Sequence, residues 1–438
     1  MYLLIENAGV CPLEGFTILG LSSSRSKEDK IGEFGSGNKH AINVLLRHDL
    51  PPRIYLGTKK LEFVTEPDTF EGETYHKVLY RLGGKRPVET GFCLEFGVRD
   101  WKDVHMGLRE IVSNAIDRAG IENVNIEVTD KVRARSGYTR IYVPLSSDVK
   151  DFHQNLGTYF LHFSGRQNEK LLPKMDSSPA KIYRKGVFVR EVDAQRGPSI
   201  FDYNFDDKFS IDEARNASDS TVVYEAAKAV ASNEDALKKI FNHFKNKSRL
   251  GYWEFSFREF DLVMYSYVNK PIWQKAWASV FGNTTVTRDE YVHEMARRKG
   301  LHSVFIDSAW AGAIITHGIK DTSSLFSNVE TNGYKIITAT PTSVNLLNQI
   351  WSVMEQMSLT NGKAKPSLSC FSRVVEGNSM LFGYYQDGCI YINIDEDGNM
   401  QTMLEEVAHH ITGSTDLSRD FQDFAFQVAT RLIKESVA

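Results

Sequence analysis

The 438-residue chain has only four cysteines, Cys11, Cys93, Cys370 and Cys389, and no two form a C-x-x-C pair. That excludes a zinc knuckle or a disulfide framework and fits free thiols in a reducing compartment. No run reaches the roughly 18 apolar residues needed to cross a bilayer, so no membrane partner is expected. The opening MYLLIENAGV has no basic stretch ahead of a long apolar one, unlike a signal peptide. A cytoplasmic location is expected. Charge of one sign is not in excess: the formal net charge is -4, so nucleic-acid binding is not indicated. The basic stretches at Lys245, Lys247 and Arg249 and at Arg297, Arg298 and Lys299 read as solvated helix faces. Internal repeats and low-complexity tracts are absent.

What is present is the mixture of an ordinary globular protein, 42% hydrophobic and 25% charged. At roughly 150 residues per domain, the length suggests about three domains. Short apolar runs alternate with helix-like periods, so the expected class is α/β. Residues 1–168 read as an α/β sandwich, 169–344 as a mixed α/β middle region, and 345–438 as a small α+β domain. In the middle region, 181–191 reads as a hairpin, with helical segments at 211–245 and 286–299.

The stretch LREIVSNAIDRAG places Leu108, Ile111, Val112, Ala115 and Ala119 on one helical stripe and Glu110, Asn114 and Asp117 together on another. Alone, this is also what an amphipathic helix with a solvated polar side looks like. The trio nevertheless suits phosphate chemistry. Asn114 offers Mg²⁺ a hard carbonyl oxygen, and Glu110 could polarise a water for attack on a γ-phosphate. Asp117 could steady the site or meet sugar and base. A second stretch, IGEFGSGNK, sets Gly32, Gly35 and Gly37 ahead of Lys39 and a helix. Glycines let backbone approach an anion, and a helix start offers free N–H groups. No G-K-[ST] follows, so this is not a Walker A loop.

ExxxNAxD together with IGxFGxG resembles the GHKL superfamily of gyrase, the ninety-kilodalton heat-shock chaperone, histidine kinases and MutL. There the helix motif precedes a DxGxG turn and then the Gly-rich lid. Here the lid comes first, a circularly permuted order. The resemblance implies a Bergerat-type ATP-Mg²⁺ site. In YLLIENAGVCPLEGFTILGLSSSR it places Glu6 where the family has its adenine-reading Asp, with Ala8 and Val10 replacing the two glycines. It offers Thr90 as the strand threonine beside adenine. It also implies that a lysine from the following region reaches the γ-phosphate, and Lys181, Lys185 and Lys208 are the candidates.

Near the other end, LEEVAHHITGSTDLSRDFQDF resembles the HExxH zinc-peptidase pattern, with Glu405 in the first ligand's place. GYYQDGCIYIN resembles the edge strand that precedes such helices. Glu405, His409 and Asp416 form a candidate second metal site, and His410 reads as a cap or core histidine. Glu405 disfavours zinc proteolysis, because zinc sites of this pattern use two histidines one turn apart. The leading expectation is therefore ATP-Mg²⁺ binding and slow hydrolysis driving a conformational or association switch, with an unidentified protein partner or an ATP-dependent homodimer. The alternatives are a metal-dependent hydrolase with regulatory ATP binding, and an interaction protein that holds ATP without hydrolysing it.

Overall fold

The computed structural model describes all residues except 20–30, 32–34, 167–168, 175, 247–250, 299–300, 327–334, 373–374, 377–378, 381, 415–417 and 438. The chain is mixed α/β with several separate sheets. It divides into two units, Met1–Tyr265 and Ser266–Ala438, so the division falls inside the expected middle region.

In the first unit, seven strands form one sheet: β1 (Tyr2–Ala8), β2 (Arg53–Leu56), β3 (Lys59–Phe70), β4 (Glu73–Leu82), β5 (Val88–Cys93), β6 (Val124–Thr129) and β7 (Tyr138–Pro144). Their order is β5-β4-β3-β2-β7-β1-β6, and every pairing is antiparallel. The helices here are α1 (Glu14–Thr17), α2 (Gly37–Arg47), α3 (Val104–Ala119), α4 (Ser147–Gln154) and α5 (Leu156–Tyr159). Side chains alternate across a strand, and Leu3 and Ile5 of β1 enter one core with Ile42 and Leu45 of α2 and Leu108 and Val112 of α3. The two helices thus cover one face of the sheet. They approach closely at Gly107, where a Cβ would lie 3.3 Å from the Ala41 carbonyl oxygen.

Leu108 is fully buried in this core. Leu108→Ala should cost about 2–5 kcal/mol, because the lost transfer energy is joined by a cavity the helix pair cannot close. Urea unfolding measures it, and a loss below about 1 kcal/mol would contradict the packing described.

A smaller sheet follows, from β8 (Leu171–Pro173), β9 (Lys181–Arg184), β10 (Val187–Glu191) and β11 (Phe201–Phe205), in the order β10-β9-β11-β8. The hairpin at 181–191 is β9 paired antiparallel with β10. The helix read over 211–245 is two helices, α6 (Asp219–Ala231) and α7 (Glu234–Lys245), and starts later than the periodicity suggested. The reason is capping: Ser218 accepts from the Thr221 amide, and Asn233 accepts from the Ala236 amide. Residues 212–216 form a turn instead. Helix α8 (Glu259–Val263) comes last in this unit.

The second unit opens with α9 (Ser266–Phe281). The expected helix over 286–299 is instead β12 (Thr285–Thr287) followed by α10 (Glu290–Arg298), and β13 (Ser303–Phe305) pairs parallel with β12. Then come α11 (Ala309–Thr316), β14 (Ile336–Thr338), α12 (Pro341–Gln356), β15 (Ser367–Phe371), the short pair β16 (Val375–Glu376) and β17 (Ser379–Met380), β18 (Gly383–Gln386), β19 (Cys389–Asn393), α13 (Met400–Thr412) and α14 (Arg419–Val437). The order β14-β15-β19-β18 leaves β18 at an edge. Ile350 and Trp351 of α12 share a core with Ile390 of β19 and Val407 of α13.

Candidate functional site

Helix α2 begins at the glycine-rich loop. Gly35 takes φ +76°, which a glycine adopts without steric cost, and the Lys39 and His40 amides both donate to the Ser36 carbonyl. Ser36 occupies the N-cap, yet its hydroxyl does not cap the helix and donates instead to Glu213. The first turn of α2 carries no acidic residue of its own.

The polar stripe of α3 meets this helix start. A Cβ on Gly37 would lie 2.7 Å from Glu110 Oε2, so a side chain there would displace the Glu110 carboxylate. Asn114 Nδ2 donates to Asn38 Oδ1 at 2.8 Å, and the Ile31 amide donates to Asp117 Oδ1 at 2.7 Å. Glu110 and Asn114 therefore meet the start of α2 at Gly37 and Asn38, Asp117 meets Ile31 just ahead of the loop, and Lys39 stays on the loop side through Gly35. Gly32 lies outside the described residues.

The electrostatics are set by burial. Lys39 is 1% exposed, and its ammonium donates to the Gly35 carbonyl at 2.6 Å. Burial lowers its pKa, because the charged form has lost water. Glu110 is buried and ion-paired with Arg215, with Arg109 Nε 4.0 Å away. Burial takes Arg109 down to about 10, and Glu110 partly offsets that. Arg109 also donates to the carbonyls of Phe188 and Ala214, at 3.1 and 3.2 Å. His40 is sandwiched between Phe96 and Trp101. Burial pushes it down to about 4, so it is neutral at neutral pH. Burial, and then neighbouring Asp212, raises the Glu213 carboxyl.

Other expected residues lie elsewhere. Glu6 alternates with Leu3 and Ile5, so it points to the sheet face away from α2 and α3. There it is ion-paired with Arg140 and, at 2.8 Å, with Arg135. Asn7, the next residue, is buried and shares the helix-covered face, and Gly9 takes φ +87° just after it. Thr90 sits on β5 at the sheet edge, well away from β1 in the strand order. Its hydroxyl donates to the carbonyls of Val78 and Phe92. The threonine beside the β1 turn is Thr139, directly opposite Asn7 on β7. Its hydroxyl donates to the Gly9 carbonyl and accepts from the Cys11 amide, both at 2.8 Å. The cations on Glu110 are arginines; Lys181, Lys185 and Lys208 are not among its ion pairs.

Asn7, Thr139, Glu213 and Arg215 lie in this neighbourhood without having been singled out from the sequence. A signal for the last two was available: Asp212 and Asn216 favour a turn, and Ser218 marks the true start of α6.

In the second unit, Glu405 is exposed on α13, one turn before His409. His409 Nδ1 lies 2.7 Å from the Ser414 carbonyl, and its ring stacks on Phe421. His410 is buried, with Nε2 2.8 Å from the Ala364 carbonyl. Asp416 lies outside the described residues. Among the described residues, no three His, Cys, Asp or Glu side chains gather as a metal site would require. None of the described helices is long and apolar enough to cross a membrane. No protein-family model matches this sequence, and no curated protein matches it significantly.

Proposed function

We propose that the first unit binds ATP-Mg²⁺ between the start of α2 and the polar stripe of α3 and hydrolyses it slowly. The observation that carries this reading is the meeting of Asn114 with Asn38 beside the buried Lys39. An ammonium with no carboxylate partner among the described residues, a glycine-lined helix start and a neutral amide oxygen together suit a metal-bound polyphosphate. The fold is read as a Bergerat-type sandwich in permuted order, supported by the antiparallel sheet covered on one face by α2 and α3.

Each residue has a distinct part. The amide hydrogens of Asn114 are turned to Asn38, so its Oδ1 is the atom offered to Mg²⁺. Mg²⁺ bound there would neutralise phosphate charge. Lys39 and the first amides of α2 hold phosphate oxygens. Glu110 accepts the proton of the attacking water, and the γ-phosphoryl leaves ADP as inorganic phosphate. Gly9 and Thr139 shape the turn beside β1, where Asn7 is better placed than Glu6 to meet the base. The resulting cycle serves a conformational or association switch, with a protein partner or a second copy as the associating species, in the cytoplasm.

Calorimetry with Asn114→Ala is the test. Mg²⁺-dependent ATP affinity should fall by roughly tenfold or more, the scale of one lost charge-assisted contact. Unchanged affinity would remove Asn114 from the site.

A further inference from the structure

We propose that the turn 212–216 is an autoinhibitory clasp: Glu213 occupies the start of α2 and Arg215 holds Glu110, and nucleotide must displace both. This rests on the nucleotide reading above and adds a regulatory element to it.

The turn is built to present those two side chains. Asp212 fastens it, since the Asn216 amide donates to Asp212 Oδ1 at 2.7 Å and the Arg215 amide donates to the Asp212 carbonyl at 3.0 Å. Arg215 takes φ +63°, a left-handed conformation that costs a non-glycine residue energy and persists only where contacts over-determine it. Three contacts do so. Arg215 Nε donates to Glu110, the Ala214 carbonyl accepts from Arg109 at 3.2 Å, and Glu213 accepts from the Ser36 hydroxyl. His40 Nε2 lies 3.6 Å from the same Glu213 oxygen.

The two charges oppose ATP chemistry in complementary ways. A helix start attracts anions, and α2 has no acidic residue in its first turn. Glu213 supplies that anion from 177 residues away and takes the Ser36 hydroxyl with it. An arriving phosphate competes for the same place and repels the carboxylate. Arg215, meanwhile, neutralises the carboxylate that must accept a proton from water, and phosphate gives the guanidinium another partner. The Glu213 side chain is 45% exposed, so it can leave without disturbing the core. Binding and activation of Glu110 are thereby coupled, because one event opens both contacts.

The test uses the full chain, Mg²⁺ and a non-hydrolysable ATP analogue. Glu213→Gln removes the competing charge and keeps the shape, so affinity should rise by roughly fivefold or more, as when a competing closed state is destabilised. In the parent protein, the analogue should speed hydrogen exchange of the 212–216 amides. Equal or weaker binding by Glu213→Gln overturns the clasp. Slower exchange at 212–216 also overturns it, because the turn would then be closing on the nucleotide. Binding by neither protein removes the nucleotide reading itself, and the clasp with it.

Discussion

Glu110→Gln should bind ATP-Mg²⁺ and release phosphate roughly 10²–10⁴-fold more slowly than the parent, the range that a positioned general base contributes. A base for the attacking water acts in the transition state, so its loss lowers kcat and leaves affinity in place. Gln is the informative replacement because Glu110 is buried against two arginines. Deleting the side chain would leave guanidinium charge uncompensated, a fault costing about 3–5 kcal/mol, and a folding defect would then pass for a catalytic one. The amide oxygen of Gln still accepts from Arg215 but cannot take a proton from water. Affinity should hold or tighten, because the grip of Arg215 weakens. Single-turnover phosphate release beside calorimetry separates the two quantities. Equal rates would assign the base elsewhere.

Lys39→Met should weaken ATP-Mg²⁺ binding by roughly 10–100-fold, the value of a charge-assisted hydrogen bond to phosphate. It should leave the stability of the nucleotide-free protein unchanged or raised. The two effects diverge because Lys39 is nearly fully buried and its ammonium meets a carbonyl rather than a carboxylate. Without ligand, that charge is a desolvation cost; with phosphate, it gains a counter-charge. The pH dependence has a definite sign. Burial lowers the Lys39 pKa, so the unfolded chain binds more protons between the lowered value and the ordinary lysine value. Stability of the free protein therefore rises with pH across that window. ATP affinity falls across the same window, since phosphate prefers the ammonium. A loss of stability matching the loss of affinity would make Lys39 a structural residue.

Much of this candidate site was legible because it is local. Glu110, Asn114 and Asp117 follow from helical spacing, and Gly35, Gly37 and Lys39 from a loop that feeds a helix. The sheet face that Glu6 takes was not legible. In β1 the residues 3 to 7 are buried on both faces of the sheet. Apolar alternation, the usual guide to which side chains face the helices, is therefore missing. Thr90 was chosen for its place before α3, whereas Thr139 is set beside β1 by strand pairing with Asn7, far away in sequence. Arg215 and Glu213 reach Glu110 and Ser36 over separations of 105 and 177 residues. No periodicity records such contacts. The helix pattern even extended over their turn, because capping by Ser218 outweighs a few favourable residues ahead of it.

The central claim is that nucleotide sits between the start of α2 and the polar stripe of α3. A crystal structure of the full chain with Mg²⁺ and a non-hydrolysable ATP analogue tests it most directly. The account predicts the phosphates against Gly37 and Lys39, the metal on Asn114 Oδ1, and Arg215 no longer paired with Glu110. Nucleotide bound elsewhere, or none bound at saturating concentration with the Glu110–Arg215 pair intact, would contradict it.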